Sequence, residues 1–328
     1  MLIDRLKTSA VLLAIVGVLI YLDAHHSRSN AEGLWLIPLL LFFAIGTAWD
    51  LSSLLSASGR QVSRPLVLLS TALVTLSACV PMGWSFFGSV YPADCPIGRL
   101  GWIVAAAVAA IMLALGREMW SYGRPGSPSG KGDAIDRSLT AVFVSLYVGL
   151  PMALLVSLRS LGPLDATIGG AGNGGAGNWG LAALITMIAV TKSSDAGAYF
   201  VGRAVGRHKL IPRLSPGKTW EGAGGGIVTS TIVAFACLRW LFPQLSPAGG
   251  ELALLHCVSG AMVLGPVLAI SGMLGDLAES LVKRDAGAKD SGSWLPGLGG
   301  VWDVTDSLIA AAMPAFVCFA AGVAGPPG

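Results

Sequence analysis

The chain has 328 residues, of which 54% are hydrophobic and only 12% charged, with a formal net charge of +3 and a mean hydropathy of +0.71. A soluble domain carries roughly a quarter charged residues, so this composition excludes an ordinary water-soluble globule. A charge of +3 gives no ground for a nucleic-acid partner, and the protein is expected to dissolve in lipid. The five cysteines (Cys79, Cys95, Cys237, Cys257, Cys318) are scattered without a CxxC or Cys/His cluster. Zinc and a disulfide framework are therefore not expected, and the cysteines read as small hydrophobes.

In chain order, Arg5 and Lys7 precede an apolar run from Ala10 to Leu22. That run ends in Asp23, His25 and His26 rather than in a small-residue cleavage site, which predicts a retained first helix and not a signal peptide. A spanning helix needs about 20 apolar residues. Runs of that kind lie near 8–22, 34–49, 65–90, 102–119, 139–158, 179–200, 222–242, 252–275 and 301–323. Strand alternation is absent, and backbone in lipid must pair internally. The expected fold is all-α, a polytopic transmembrane bundle of about nine helices.

Placing the N-terminus in the cytoplasm and alternating puts 16 of the 21 lysines and arginines on the inner side. Arg28, Arg99, Arg159 and Arg239 fall on the outer side and Lys192 within a span. The positive-inside rule supports that orientation. Residues 121–137 read as a flexible inner loop, and the glycine-rich stretch 169–180 as an outer linker. Two regions are expected, residues 1–160 and residues 179–323, the second with cytoplasmic loops at 201–221 and 276–300.

Chemistry concentrates in those two loops. Asp276 and Glu279 are three residues apart, as are Asp303 and Asp306, at the ends of apolar runs where an unpaired carboxylate is costly. Each pair shares a helical face if those ends are helical. The four are either neutralised by Lys283, Arg284 and Lys289 as a salt-bridge network, or they hold Mg²⁺, which binds through a few carboxylates plus substrate phosphates. Recurrence of the pair beside two basic loops favours the second. Arg203, Arg207, Lys209, Lys218, Lys283, Arg284 and Lys289 could clamp phosphates or anionic headgroups. The stretch Ser215-Pro216-Gly217-Lys218-Thr219-Trp220-Glu221-Gly222 sets a lysine between a turn and a helix start, where free N–H groups meet anions. It is not a P-loop, because Pro212 stands where that pattern needs glycine. His208 reads as a solvated residue among basic ones. Lys192 and Asp195 are an internal pair or an active-site wall.

The second block resembles the signature of phosphatidate cytidylyltransferases (CDP-diacylglycerol synthases). It falls on Ser280, Lys283, Arg284, Lys289, Asp290, Gly292, Leu295, Pro296, Gly299, Gly300, Asp303 and Asp306 with spacing intact. The stretch from Asp195 and Tyr199 through Arg203 and Lys209 to Ser215–Gly222 is similar to the same family's earlier block. The resemblance is firm from about Ser193 to Ser307. Leu298 and Val304 stand where the family pattern has His and Arg. The histidine's place reads as one that shapes a turn or touches a phosphate.

The resemblance implies cytidylyl transfer from CTP to phosphatidic acid, giving CDP-diacylglycerol and pyrophosphate, with Mg²⁺ as cofactor and a monovalent cation left open beside it. It implies Lys218, Lys289, Asp290 and Asp303 as catalytic residues and Asp276, Asp290, Asp303 and Asp306 as metal ligands. Substrate would be held by Arg203, Ser215, Lys218, Trp220, Glu221, Lys283, Arg284 and Lys289. A bacterial inner-membrane enzyme facing the cytoplasm is expected, in contact with membrane lipids and with a homodimer left open. The competing readings are a CTP-dependent cytidylyltransferase or kinase acting on another lipid, such as an isoprenoid, and a transporter. A transporter predicts charges near helix midpoints, whereas these crowd at one face.

Overall fold

The computed structural model describes residues 2–27, 31–89, 91, 92, 94–124, 132–162, 178–246, 252–288 and 290–324. Among them the chain forms α1 (Leu2–His26), α2 (Ile37–Ala57), α3 (Arg64–Ser77), α4 (Gly83–Phe86), α5 (Gly98–Ser121), α6 (Asp133–Arg159) and α7 (Trp179–Val205). A short antiparallel hairpin follows, β1 (Lys209–Ile211) and β2 (Ser215–Thr219). Then come α8 (Trp220–Leu245), α9 (Leu254–Asp285) and α10 (Trp302–Ala320). The protein is an all-α polytopic membrane bundle.

Every expected apolar run is helical, with three corrections. The run 65–90 is not one helix: α3 stops at Ser77 and, after a tight turn at Val80–Met82, α4 continues at a bend of 53°. Pro81 lies at the break and has no N–H to continue the ladder. The loop expected over 201–221 contains the end of α7 and the hairpin. The loop expected over 276–300 is helical as far as Asp285, because α9, at 32 residues and about 48 Å, outruns a hydrocarbon core of about 30 Å. Among the described residues, seven helices are long and apolar enough to cross a membrane, or eight with the bent pair. The 27-residue α7 is not among them, and its second half carries Lys192, Ser193, Ser194 and Asp195. Its first half is buried at the centre of the bundle, whereas Lys192 and Asp195 in the second half are partly exposed.

The helices α7 and α8 pack closely along their length. A Cβ on Gly225 would lie 2.4 Å from the Val201 side chain, and one on Gly226 would lie 3.0 Å from Ser194. Small residues four apart (Gly222 and Gly226) let two membrane helices approach this closely. The Thr219 hydroxyl starts α8 by accepting from Gly222 N–H at 3.1 Å.

Contacts between helix ends sort into two rims, as alternation demands. On one rim Thr8 Oγ1 donates to the Pro296 carbonyl, Arg117 meets Ser63, Arg137 pairs with Glu118, and Lys218 with Asp276. On the other, Asp23 meets Arg159, and Asn178 Nδ2 donates to the Ala24 carbonyl. The flexible loop expected over 121–137 lies partly outside the described residues. So do Lys131, Lys289, Arg28 and nearly all of the linker 169–180.

Asp23 and Arg159 form a fully buried pair. Asp23 Oδ2 accepts from Arg159 Nε at 2.5 Å, and Oδ1 accepts from Gly33 N–H at 3.0 Å. Removing one partner strands a charge, which costs about 3–5 kcal/mol, whereas apolar replacement of both is often near neutral. Asp23→Ala is expected to lower unfolding stability in detergent by that amount. The double variant Asp23→Leu/Arg159→Met recovers most of it.

Candidate active site

The first rim gathers carboxylates where α9 and α10 cross. Gly275 makes the crossing possible: a Cβ there would sit 2.4 Å from the Asp306 carbonyl oxygen. With the backbones this close, one oxygen each from Asp276, Glu279 and Asp306 lies within 4.8 Å of the others. Glu279 and Asp306 are buried, at 2% and 6% exposure. Lys218 Nζ reaches Asp276 at 2.7 Å and Lys283 Nζ reaches Glu279 Oε2 at 3.2 Å. Asp306 makes no ion pair among the described residues, and Glu279 Oε1 has no hydrogen-bond partner. Three hard oxygen donors, one of them orphaned, with fewer cations than negative charges, suit a divalent ion such as Mg²⁺.

A cleft of about 560 Å³ opens beside the cluster, between α7, the hairpin and α9. Arg203, Lys209, Ser215 and Lys218 line it, and Asp276 forms its inner edge. The hairpin holds Lys218 in place. Glu221 fixes its base by accepting from Arg207 N–H at 3.1 Å, His208 N–H at 3.2 Å and His208 Nδ1 at 2.6 Å. Arg203 Nη1 donates to the Tyr199 hydroxyl at 3.1 Å. Asp195 lines the far wall. Its carboxylate takes Ser307 Oγ–H at 3.2 Å and lies 3.7 Å from Lys192, which also donates to Ser307 Oγ and the Val304 carbonyl. Lys192 and Asp195 are thus an internal pair, of which Asp195 also forms part of the wall.

Two further carboxylates build the loop between α9 and α10. Asp303 Oδ2 accepts from Gly300 N–H at 2.7 Å, Ser291 Oγ–H at 2.8 Å and Ser291 N–H at 3.3 Å, while Oδ1 accepts from Lys283 at 2.9 Å. It closes the loop's start onto its end. From α2, the buried Asp50 accepts from Trp302 N–H at 3.1 Å, at the positive end of α10. Gly292 and Gly300 leave room for it, since a Cβ on either would fall within 2.5 Å of its carboxylate. Trp49 packs on Trp294, and Thr47 bonds Thr305 at 2.7 Å. Leu298 sits in the tight turn Leu295–Gly299, its N–H donating to the Leu295 carbonyl.

Of the residues expected to hold a metal, Asp276 and Asp306 fall together, joined by Glu279. Asp303 faces the loop with its oxygens taken, and Asp290 is exposed on the loop outside the cluster. Of the expected substrate and catalytic residues, Arg203, Ser215 and Lys218 share the cleft. Glu221 is occupied under the hairpin, Trp220 is exposed beside it, and Lys283 is held between Glu279 and Asp303. Arg284 is exposed on α9. Asp50 was not anticipated. Its signal was a lone carboxylate in an apolar run.

This is a polytopic membrane protein with an acidic cluster and a basic cleft at one rim. Residues 3–321 match the model of the Cytidylyltransferase family, and the chain belongs to that family. It is 41% identical over 140 residues to the phosphatidate cytidylyltransferase of Haemophilus influenzae, covering 43% of this chain and 46% of that one. It is 46% identical over 134 residues to that of Brucella suis, covering 41% and 45%. It is 41% identical over 136 residues to the uncharacterized protein YnbB of Escherichia coli, covering 42% and 41%. The matches thus span less than half the length of each relative.

Asp50→Ala would leave the Trp302 N–H unpartnered in a buried place, a loss of about 1–3 kcal/mol. Hydrogen exchange over residues 291–302 is expected to rise about tenfold or more, with α5 and α6 unchanged.

Proposed function

We propose that the protein transfers the cytidylyl group of CTP to phosphatidic acid, releasing pyrophosphate and CDP-diacylglycerol, at the cytoplasmic face of a bacterial inner membrane. The observation that carries this reading is the meeting of the Asp276–Glu279–Asp306 cluster with the Lys218 cleft at one membrane depth. The names of the Haemophilus and Brucella relatives support it, and so does the crowding of lysine and arginine on the rim that bears the site.

In this reaction an oxygen of the lipid phosphate bonds to the α-phosphorus of CTP, and the bond from that phosphorus to the β-phosphate bridging oxygen breaks. The attacking oxygen belongs to a phosphate monoester already largely ionised at neutral pH, whose second pKa is about 6. No side chain has to remove a proton. What the protein supplies is alignment and relief of charge repulsion. Lys218, Lys209 and Arg203 line the cleft and would hold the triphosphate, with Ser215 donating beside them. The Lys192–Asp195–Ser307 network keeps the opposite wall rigid. Asp276, Glu279 and Asp306 would hold a divalent cation, which when bound neutralises charge on the phosphates. The lipid enters sideways, its phosphate at the rim and its tails in the bilayer.

The test is product formation in membranes given labelled CTP and phosphatidate, with Mg²⁺ supplied or chelated. Wild-type protein is expected to make CDP-diacylglycerol only with the ion. Asp276→Asn and Asp306→Asn are each expected to lower the rate by about 10²-fold or more. Label appearing only in a nucleotide-linked or phosphorylated isoprenoid would overturn the choice of substrate.

A further inference from the structure

A second cleft, of about 470 Å³, opens on the same rim between α2, α6 and α9, away from the carboxylate cluster. Its walls are apolar and face outward: Leu139, Phe143 and Leu281 are each about half exposed or more, so the cleft opens sideways into lipid. At its polar end stand Arg60, Asp136 and Asp285. None of the three makes an ion pair among the described residues. Their backbones are set by helix ends. Arg60 follows Gly59, which has a φ of +87°, and its N–H donates to the Leu55 carbonyl at 3.0 Å, so the arginine starts from the fixed end of α2. Asp136 lies in the first turn of α6, where a carboxylate is at home. Asp285 is the last residue of α9, the negative end of that helix, where a carboxylate is unfavourable without an added cation. Of the two basic residues in that last turn, Lys283 is already held by Glu279 and Asp303, and the exposed Arg284 makes no ion pair among the described residues.

We propose that this cleft binds a membrane glycerophospholipid whose headgroup carries both a phosphate and a primary amine. Arg60 forks the phosphate, and Asp136 and Asp285 take N–H donors from the ammonium. The volume lies within the roughly 300–1,000 Å³ of small-ligand sites. It takes the headgroup and glycerol, while the tails run down Leu139, Phe143 and Leu281 into the bilayer. Two carboxylates against one arginine disfavour a headgroup that is only anionic. A quaternary amine has no N–H to give and is held by aromatic cages, whereas Phe143 is the one aromatic residue among those lining this cleft, and it stacks on Tyr147. The bound lipid would lie against the last turns of α9, the helix that carries Asp276 and Glu279.

The experiment is native mass spectrometry of the purified full chain in detergent with equal amounts of phosphatidylethanolamine, phosphatidylcholine and phosphatidylglycerol. The wild type is expected to retain phosphatidylethanolamine about tenfold over the other two, the worth of one charge-assisted hydrogen bond. Asp285→Asn is expected to bring the three lipids near parity and Arg60→Gln to weaken retention of all three about tenfold, with the thermal midpoint of the lipid-free protein unchanged. Equal retention of all three lipids by the wild type overturns the proposal. So does retention of phosphatidylcholine or phosphatidylglycerol equal to or above phosphatidylethanolamine, a preference that survives Asp285→Asn, or retention that Arg60→Gln leaves unchanged. The readout is independent of cytidylyl transfer.

Discussion

Three carboxylates that repel one another are brought together at the end of an apolar bundle, and the architecture of the rim that bears them follows from what holds them there. In a medium of low dielectric, clustered negative charge is far more costly than in water. Asp276, Glu279 and Asp306 nevertheless converge because α9 and α10 cross at Gly275 with backbone against side-chain space. Lysines relieve two of them from opposite directions. Lys218 comes from the hairpin and Lys283 from one turn further along α9. One oxygen of Glu279 has no hydrogen-bond partner, and Asp306 makes no ion pair among the described residues. Under the proposed function this shortfall of positive charge is what a cation would make good, and the basic cleft alongside would give the phosphates a second set of partners.

A different pair of carboxylates performs the opposite task. Asp303 is held on both oxygens by donors from the backbone, a serine and a lysine, and Asp50 is tied to the Trp302 N–H. They draw the loop between α9 and α10 into a closed shape and fix the first turn of α10. Asp303 and Asp306 are three residues apart on one helix, yet one is a structural tie and the other a charged wall. The difference is set by position. Asp303 lies in the first turn of α10, beside the free N–H groups of the incoming loop, and Asp306 lies one turn deeper, against α9.

Much of this was legible in the sequence. The apolar runs located the helices, and the lysine and arginine bias paired their ends as the structure pairs them. The spacing of Asp276 with Glu279 and of Asp303 with Asp306 marked the carboxylates that matter. What could not be read was which oxygens would already be occupied. Asp290 and Asp303 carry the same charge as Asp306, and only the fold of the loop exposes one and saturates the other. Glu221 is a similar case: its place beside Lys218 suggested contact with substrate, but the reversal of the chain in a hairpin puts the Arg207 and His208 amides on it. The hairpin was hidden because Arg207-His208-Lys209 and Arg213 show no strand alternation. The break in α3–α4 was signalled by Pro81 alone within an otherwise apolar run.

The role of Asp50 bears on how the two halves of the chain relate. The conspicuous motifs all lie beyond residue 190, which makes the first helices look like a variable anchor. Yet the loop that carries Ser291 and Gly300 rests on α2: Gly46 takes Val301, Thr47 bonds Thr305, Trp49 packs on Trp294 and Asp50 caps Trp302. Four consecutive or near-consecutive positions of one early helix therefore define where α10 begins. Since α10 supplies Asp306 and α9 supplies the other two carboxylates, α2 sets the separation on which the cluster depends. An alteration in the first half can thus reach the site without touching a motif residue, through the rigid-body position of α10.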